Sequence, residues 1–160
     1  MMNDAINVPA DAPVPDWSGG LPLRAGDMFL GLYQPSPETT EFWAGVKRRE
    51  LLLKRCACGQ LHHPRRISCP ECGATSLHWV PAAGQGEVYT FSDVYRAPGV
   101  FAAAVPFTVG IIRLTEGVHV FSRIISEPGT GDVAIGQAVT LDFRVLEQGH
   151  LLPVFVRQSS

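Results

Sequence analysis

Cysteine is scarce and confined. The chain has four, Cys56, Cys58, Cys69 and Cys72, and none elsewhere in its 160 residues. Long apolar runs are missing too. No segment reaches the roughly 18 apolar residues that a membrane-crossing helix needs, so no membrane partner is expected. A charge excess is also missing. The net charge is −2, which argues against the chain as a whole being an electrostatic nucleic-acid binder. Neither a G-x-S-x-G elbow nor an H-E-x-x-H pair occurs, and no internal repeat or low-complexity tract appears. Residues Met1 to Pro15 carry Asp4 and Asp11 and lack a basic stretch followed by an apolar core. That pattern does not read as a secretory signal, so the expected location is the cytoplasm. Thiols stay reduced there, and four clustered cysteines then favour a metal over disulfides.

What is present suits a small globular chain rich in turns. Apolar residues make up 46% and charged residues 18%, and sixteen Gly and thirteen Pro point to short strands rather than a helical bundle. Basic residues are unevenly placed. Residues 1–46 hold one against six acidic residues. Residues 47–66 hold Lys47, Arg48, Arg49, Lys54, Arg55, Arg65 and Arg66 against Glu50 alone. Such a window is either a solvated face or a patch that attracts phosphate or an acidic surface.

The chain divides into four expected parts. Residues 1–35 form an extended arm with five prolines. Its Trp17, Leu21, Leu23, Met28, Phe29, Leu30 and Tyr33 are too apolar for a plain linker. An N-terminal helix is expected over 36–53. Ser36 would be its cap and Pro37 its first residue, with Glu38 and Glu41 at the positive end and Phe42, Trp43 and Val46 on its apolar side. Leu51-Leu52-Leu53 either ends this helix or begins a strand. Residues 54–82 are the cysteine segment. Residues 83–160 read as five strands, over 86–95, 105–114, 118–125, 139–145 and 151–157, with a tight Glu116-Gly117 turn between the second and third. The fold class is therefore mainly β. Five strands with short connections suit a five-stranded OB-fold barrel, with a sandwich as the alternative.

The cysteines are spaced as Cys56-x-Cys58, ten residues, then Cys69-x-x-Cys72. Two short pairs on facing turns can supply the tetrahedron of thiolates that zinc favours. Gly59 and Gly73 each follow a second cysteine, and Pro70 stiffens the second turn. The first pair is one residue shorter than the usual C-x-x-C. His62 or His63 could replace a cysteine, or the site could be weakened. With four thiolates the ligand shell is closed, so the zinc is structural rather than catalytic.

Taken in order, the motifs resemble a known family. They are F-W-x-G (Phe42, Trp43, Gly45), L-x-x-x-C-x-C-G (Leu52 to Gly59) and P-R-x-x-x-C-P-x-C-G (Pro64 to Gly73). After these come G-x-G-x-V-Y-x-F (Gly84 to Phe91), Y-R-A-P (Tyr95 to Pro98), E-G-V (Glu116 to Val118) and I-G-x-x-V (Ile135 to Val139). This series resembles the zinc-ribbon plus OB-fold proteins long labelled as of unknown function. The resemblance covers about three quarters of the chain. It implies an N-terminal helix, a rubredoxin-like zinc ribbon and a C-terminal OB barrel. It also implies a non-catalytic accessory subunit in a hetero-oligomer with a thiolase-fold catalytic subunit. Such a subunit would help form the tunnel for a coenzyme A thioester. Aldolase and enoyl-CoA hydratase partners are the neighbouring possibilities.

Arg65 and Arg66 beside the ribbon, and Arg96 in the Y-R-A-P loop, are the residues that could meet coenzyme A phosphates or the partner. Each could equally be an ordinary loop arginine. A single-stranded nucleic-acid binder is the rival reading, with Tyr89, Phe91, Tyr95, Phe107 and Phe121 as a stacking platform. The five basic and eight acidic residues after Arg66 give that segment the wrong sign, and most of these rings are expected in the barrel core. An enzyme in its own right would need His119, His150, Asp93 or Glu87 as acid–base groups, and nothing in the sequence pairs them.

Overall fold

A computed structural model describes residues 37–126, 132–145 and 151–157. The expected arm over 1–35, the Ser36 cap, the break at 127–131 and the turn at 148–150 lie outside those residues. The described chain runs in the order α1 (Thr40–Lys47), β1 (Leu52–Cys56), β2 (Leu61–His62), β3 (Leu77–Pro81), β4 (Gln85–Val94), a 3-10 helix (Gly99–Ala103), β5 (Phe107–Leu114), β6 (His119–Ile125), β7 (Ala138–Val145) and β8 (Leu151–Arg157).

The helix is shorter than the expected 36–53. It spans Thr40–Lys47, and Leu52 and Leu53 belong to β1. The cause is a turn at its C-terminus. Arg49 takes a left-handed conformation with φ 60, its N–H donates to the Val46 carbonyl, and the Glu50 N–H donates to the Gly45 carbonyl. That pair of bonds is the helix-ending Schellman arrangement, with arginine where glycine is usual. The Arg49 side chain then donates from Nη1 to the Phe143 carbonyl at 3.1 Å, which ties the helix end to β7.

Two sheets follow. β1 is the centre of a three-stranded antiparallel ribbon in the order β2-β1-β3, with Leu52 opposite Pro81 and Cys56 opposite Leu77. Strands β4 to β8 close into a barrel in the order β4-β5-β6-β8-β7, with β7 returning to β4. All pairings are antiparallel except β6 with β8. Closure removes the sandwich alternative. The Glu116-Gly117 turn joins β5 to β6 as expected, with the Leu114 N–H donating to the Val118 carbonyl at 2.9 Å.

One core serves both units. Val88, Ile112, Leu114, Val139 and Phe155 fill the barrel, and Val46 from the helix, Leu51 just before β1 and Leu53 from β1 join the same cluster. The apolar helix face expected from Phe42, Trp43 and Val46 is the face that packs there. The Ala82 N–H donates to the Leu51 carbonyl at 2.8 Å, so the foot of the ribbon is held against the start of the barrel chain. The barrel interior follows period two. On β5, Gly110, Ile112 and Leu114 are buried while Ile111 and Arg113 face away.

Candidate metal centre

The ribbon carries the cysteines on two loops that face one another. Cys56 ends β1, and Cys58 lies in the turn into β2. Cys69 and Cys72 lie in the segment between β2 and β3. The short first pair is absorbed by a shorter turn. There the Gly59 N–H donates to the Cys56 carbonyl at 2.9 Å, three residues back. In the second knuckle the Gly73 N–H donates to the Cys69 carbonyl at 2.8 Å, four residues back. The outer bonds repeat the offset, with Cys56 N–H to Gln60 O and Cys69 N–H to Ala74 O. Gly59 and Gly73 have φ 93 and 74, a conformation glycine adopts without penalty, and that accounts for a glycine after each pair.

The geometry fits one metal ion. All four Sγ atoms lie within 4.8 Å of one another. Cys56 Sγ is 3.4 Å from Cys72 Sγ, and Cys58 Sγ is 3.6 Å from Cys69 Sγ. A tetrahedron with zinc–sulfur bonds of about 2.3 Å places its sulfurs about 3.8 Å apart. Cys56 and Cys69 are buried, and Cys58 and Cys72 are exposed, so the site has an inner and an outer pair. The four cysteines form the ligand group among the described residues, and neither His62 nor His63 belongs to it. His62 is buried with its Nε2 unpartnered, and its side chain lies beside Cys69.

Without metal the thiols are unequal. Burial raises the Cys69 thiol. The N–H groups of Cys72 and Glu71, with the side chains of Cys58 and His62, outweigh that and bring it to about 6. For Cys56 the Cys58 N–H lowers the thiol, while burial and the other three thiols push it up to about 12. Four such groups cannot all ionise together unless a cation neutralises them.

A residue the sequence reading missed holds the ribbon loop. Lys54 is buried, its Nζ lies 4.5 Å from the centre of the Trp79 ring, and it donates to the Arg66 carbonyl at 3.0 Å and the Glu38 carbonyl at 3.5 Å. Burial lowers its pKa. Its position directly after Leu51, Leu52 and Leu53 is the one signal the sequence offers.

The basic window is partly spent on such structure. Arg48 pairs with Glu41 and Glu50 at 3.2 Å each, Arg49 reaches Phe143, and Lys54 is buried. Lys47, Arg55, Arg65 and Arg66 are exposed. Arg65 and Arg66 follow His63 on one loop, where the Arg65 N–H donates to His63 Nδ1 and the Arg66 N–H to the His63 carbonyl. Burial, then Arg65 and Arg66, push the His63 pKa down. Arg96 is exposed in a different unit, between β4 and the 3-10 helix.

The aromatic residues divide differently from the expectation that most are core. Phe91 packs on the core cluster and Phe107 is half-buried, but Tyr89, Tyr95 and Phe121 are exposed. Tyr89 follows the buried Val88 and faces outward by period two; the bulge there, with Val88 paired to Ile112 and Thr90 to Ile111, leaves Thr90 exposed as well and turns Phe91 to the core.

Comparison with known proteins agrees with this architecture. Residues 43–78 match the family described as "ChsH2, rubredoxin-like zinc ribbon domain", and residues 79–144 match "ChsH2, C-terminal OB-fold domain". The chain is 34% identical over 116 residues to a probable enoyl-CoA hydratase alpha subunit of Thermomonospora curvata, covering 71% of this chain and 36% of that one. It therefore spans about a third of the length of that relative. It is 35% identical over 109 residues to a DUF35 domain-containing scaffold protein of Methanocaldococcus jannaschii, covering 66% of this chain and 77% of that one. It is 34% identical over 95 residues to the benzoylsuccinyl-CoA thiolase subunit BbsA of Thauera aromatica, covering 59% and 65%. Among solved structures, the Ltp2-ChsH2(DUF35) aldolase aligns with a TM-score of 0.67 and 30% identity, covering 78% of this chain and 98% of that one. The chain belongs to the DUF35 family of zinc-ribbon and OB-fold proteins.

Proposed function

We propose that this chain is a non-catalytic accessory subunit of a thiolase-type acyl-CoA enzyme in the cytoplasm. One zinc ion at Cys56, Cys58, Cys69 and Cys72 would hold its ribbon. The observation that carries the reading is its kinship with BbsA, a named subunit of a thiolase acting on a CoA thioester. The OB fold alone would not carry it, because that fold serves many functions. The closed set of four thiols supports a structural ion with no open coordination position. The partner would supply the nucleophile and the acid–base groups, and this chain would help shape the tunnel for the thioester. Exposed Arg65 and Arg66, and separately Arg96, are the groups we assign to the phosphates of coenzyme A or to the partner.

A second reading keeps the accessory role and changes the partner to a hydratase or an aldolase. The hydratase alpha subunit and the aldolase structure above support it. Co-expression with the acyl-CoA enzyme subunit encoded beside this chain separates the cases. The accessory reading expects a stable complex and a gain in turnover when this chain is added. The reaction class of the complex then decides between thiolase, aldolase and hydratase. A chain that stays apart and leaves turnover unchanged overturns the reading.

A further inference from the structure

β2 is two residues long, yet it carries the buried imidazole of the ribbon. His62 is 8% exposed, and register sets it opposite Lys54 on β1. Side chains alternate along β1, so Lys54 and Cys56 share a buried face while Arg55 between them is exposed. Residues directly opposite on paired strands share a face as well. His62 therefore stands on the face from which Cys56 enters the metal centre.

A ring buried there is costly unless its polar atoms are answered. Among the described residues, Nε2 of His62 is the buried side-chain nitrogen or oxygen left without a hydrogen-bond partner. Such an orphan costs about 1–3 kcal/mol. Lys54 on the same face cannot answer a donor. Its ammonium has no lone pair, and it is held by the Arg66 and Glu38 carbonyls. The polar group beside the ring is the Cys69 sulfur. Cys69 is 1% exposed, so its charge must be answered from within the protein. The Cys72 and Glu71 N–H groups and the His62 side chain surround it, whereas Cys56, the other buried ligand, has the Cys58 N–H. A thiol is a weak acceptor, but a metal-bound thiolate is an anion and accepts strongly. Four thiolates also outweigh the charge of one divalent ion, so donors aimed at the sulfurs stabilise the loaded site.

We propose that His62 is a positioning residue of the metal centre, whose Nε2–H donates to the Cys69 thiolate while the ring itself stays off the ion. This rests on the zinc reading above. It gives the orphaned nitrogen an acceptor and the most buried thiolate a side-chain donor. The four cysteines already close the ligand shell, so the ring has no coordination position to fill. A phenylalanine in its place would fill similar space and leave the Cys69 sulfur one donor short.

The test uses the full chain. Zinc affinity is measured by chelator competition for wild type, His62→Phe, His62→Gln and a control, the exposed His78→Ala on β3. His62→Phe should weaken zinc by about tenfold or more, His62→Gln should recover part of that loss, and His78→Ala should leave affinity unchanged. A second readout needs no variant to fold. In wild type loaded with an NMR-active cadmium isotope, the His62 ring proton should sit on Nε2 and couple to cadmium through the sulfur. A ring that only fills space would show no such coupling. If wild type holds the metal but the proton sits on Nδ1, the coupling is missing, or His62→Phe binds zinc as tightly, the proposal is overturned while the zinc reading stands. A direct coupling between the ring nitrogen and cadmium makes His62 a ligand and overturns it too. If wild type binds no zinc in reducing buffer, the zinc reading itself fails and the proposal falls with it.

Discussion

In the outer ribbon, from Cys56 to Ser76, the buried residues are Cys56, His62, Pro64 and Cys69. In the barrel, Val88, Ile112, Val139, Val154 and Phe155 are all within 1% of full burial and belong to a closed set of strands. Four side chains, two of them thiols, cannot hold a segment of that length by apolar burial. Such segments are held by a metal that links their loops. A barrel whose every strand has two neighbours needs no such link. The two units share Val46, Leu51 and Leu53 at their junction, so loosening of the outer ribbon need not spread into the barrel.

The largest effect expected is on the ribbon alone. Cys69→Ser removes a buried ligand, and structural zinc in small fingers contributes an apparent ~10–16 kcal/mol of folding energy. Zinc should fall from one per chain to near zero. Amide exchange over 56–76 should speed up while that of β5 and β8 stays slow. Equal acceleration in both would break the comparison. Next is the converse change. Phe155→Ala should cost about 3–5 kcal/mol in a thermal or denaturant melt. Below its lowered melting point, the protein should still carry one zinc.

Smaller effects sharpen the boundary. Lys54→Ala leaves the Arg66 and Glu38 carbonyls without their donor and should cost about 1–3 kcal/mol, with faster exchange over 63–68. Lys54→Met keeps the packing on Trp79 and should recover part of that loss. Acid should act on the ribbon first. The folded His63 pKa lies below its ordinary 6.5, so as pH falls through 6.5 the unfolded chain takes the proton before the folded one. Stability present above pH 6.5 is therefore lost as pH drops toward the folded value, and proton competition for the thiolates adds in the same direction. Arg65→Ala should raise the His63 pKa, as read by NMR titration. The smallest change is at Arg49. Arg49→Gly relieves about 1 kcal/mol of left-handed strain and gives up a hydrogen bond of similar worth, so its melt should barely move. Arg49→Ala loses the bond without that relief and should fall by about 1 kcal/mol.

Much of this was legible in the residues. The barrel strands followed alternation and turn chemistry, as in Val139, Leu141, Phe143 and Val145, and the cysteine spacing marked the ribbon. Three features were not legible, each because a long-range partner decides it. Leu52 and Leu53 could continue a helix as well as start a strand, and the choice is made by Arg49 and by pairing with β3. Lys54 carries no sign that Trp79 and two carbonyls await it. Phe91, two residues on from the outward Tyr89, looks like an outward ring until the bulge opposite Ile111 and Ile112 turns it to the core. The two-residue Cys56–Cys58 step shows the same limit. Its viability depends on a turn one residue shorter, seen only when both knuckles are compared.

Native mass spectrometry of this chain co-expressed with its neighbouring acyl-CoA enzyme subunit tests the central claim most directly. The account predicts one species containing both subunits, with one zinc ion for each copy of this chain. A spectrum showing this chain by itself beside the free enzyme subunit would contradict the account.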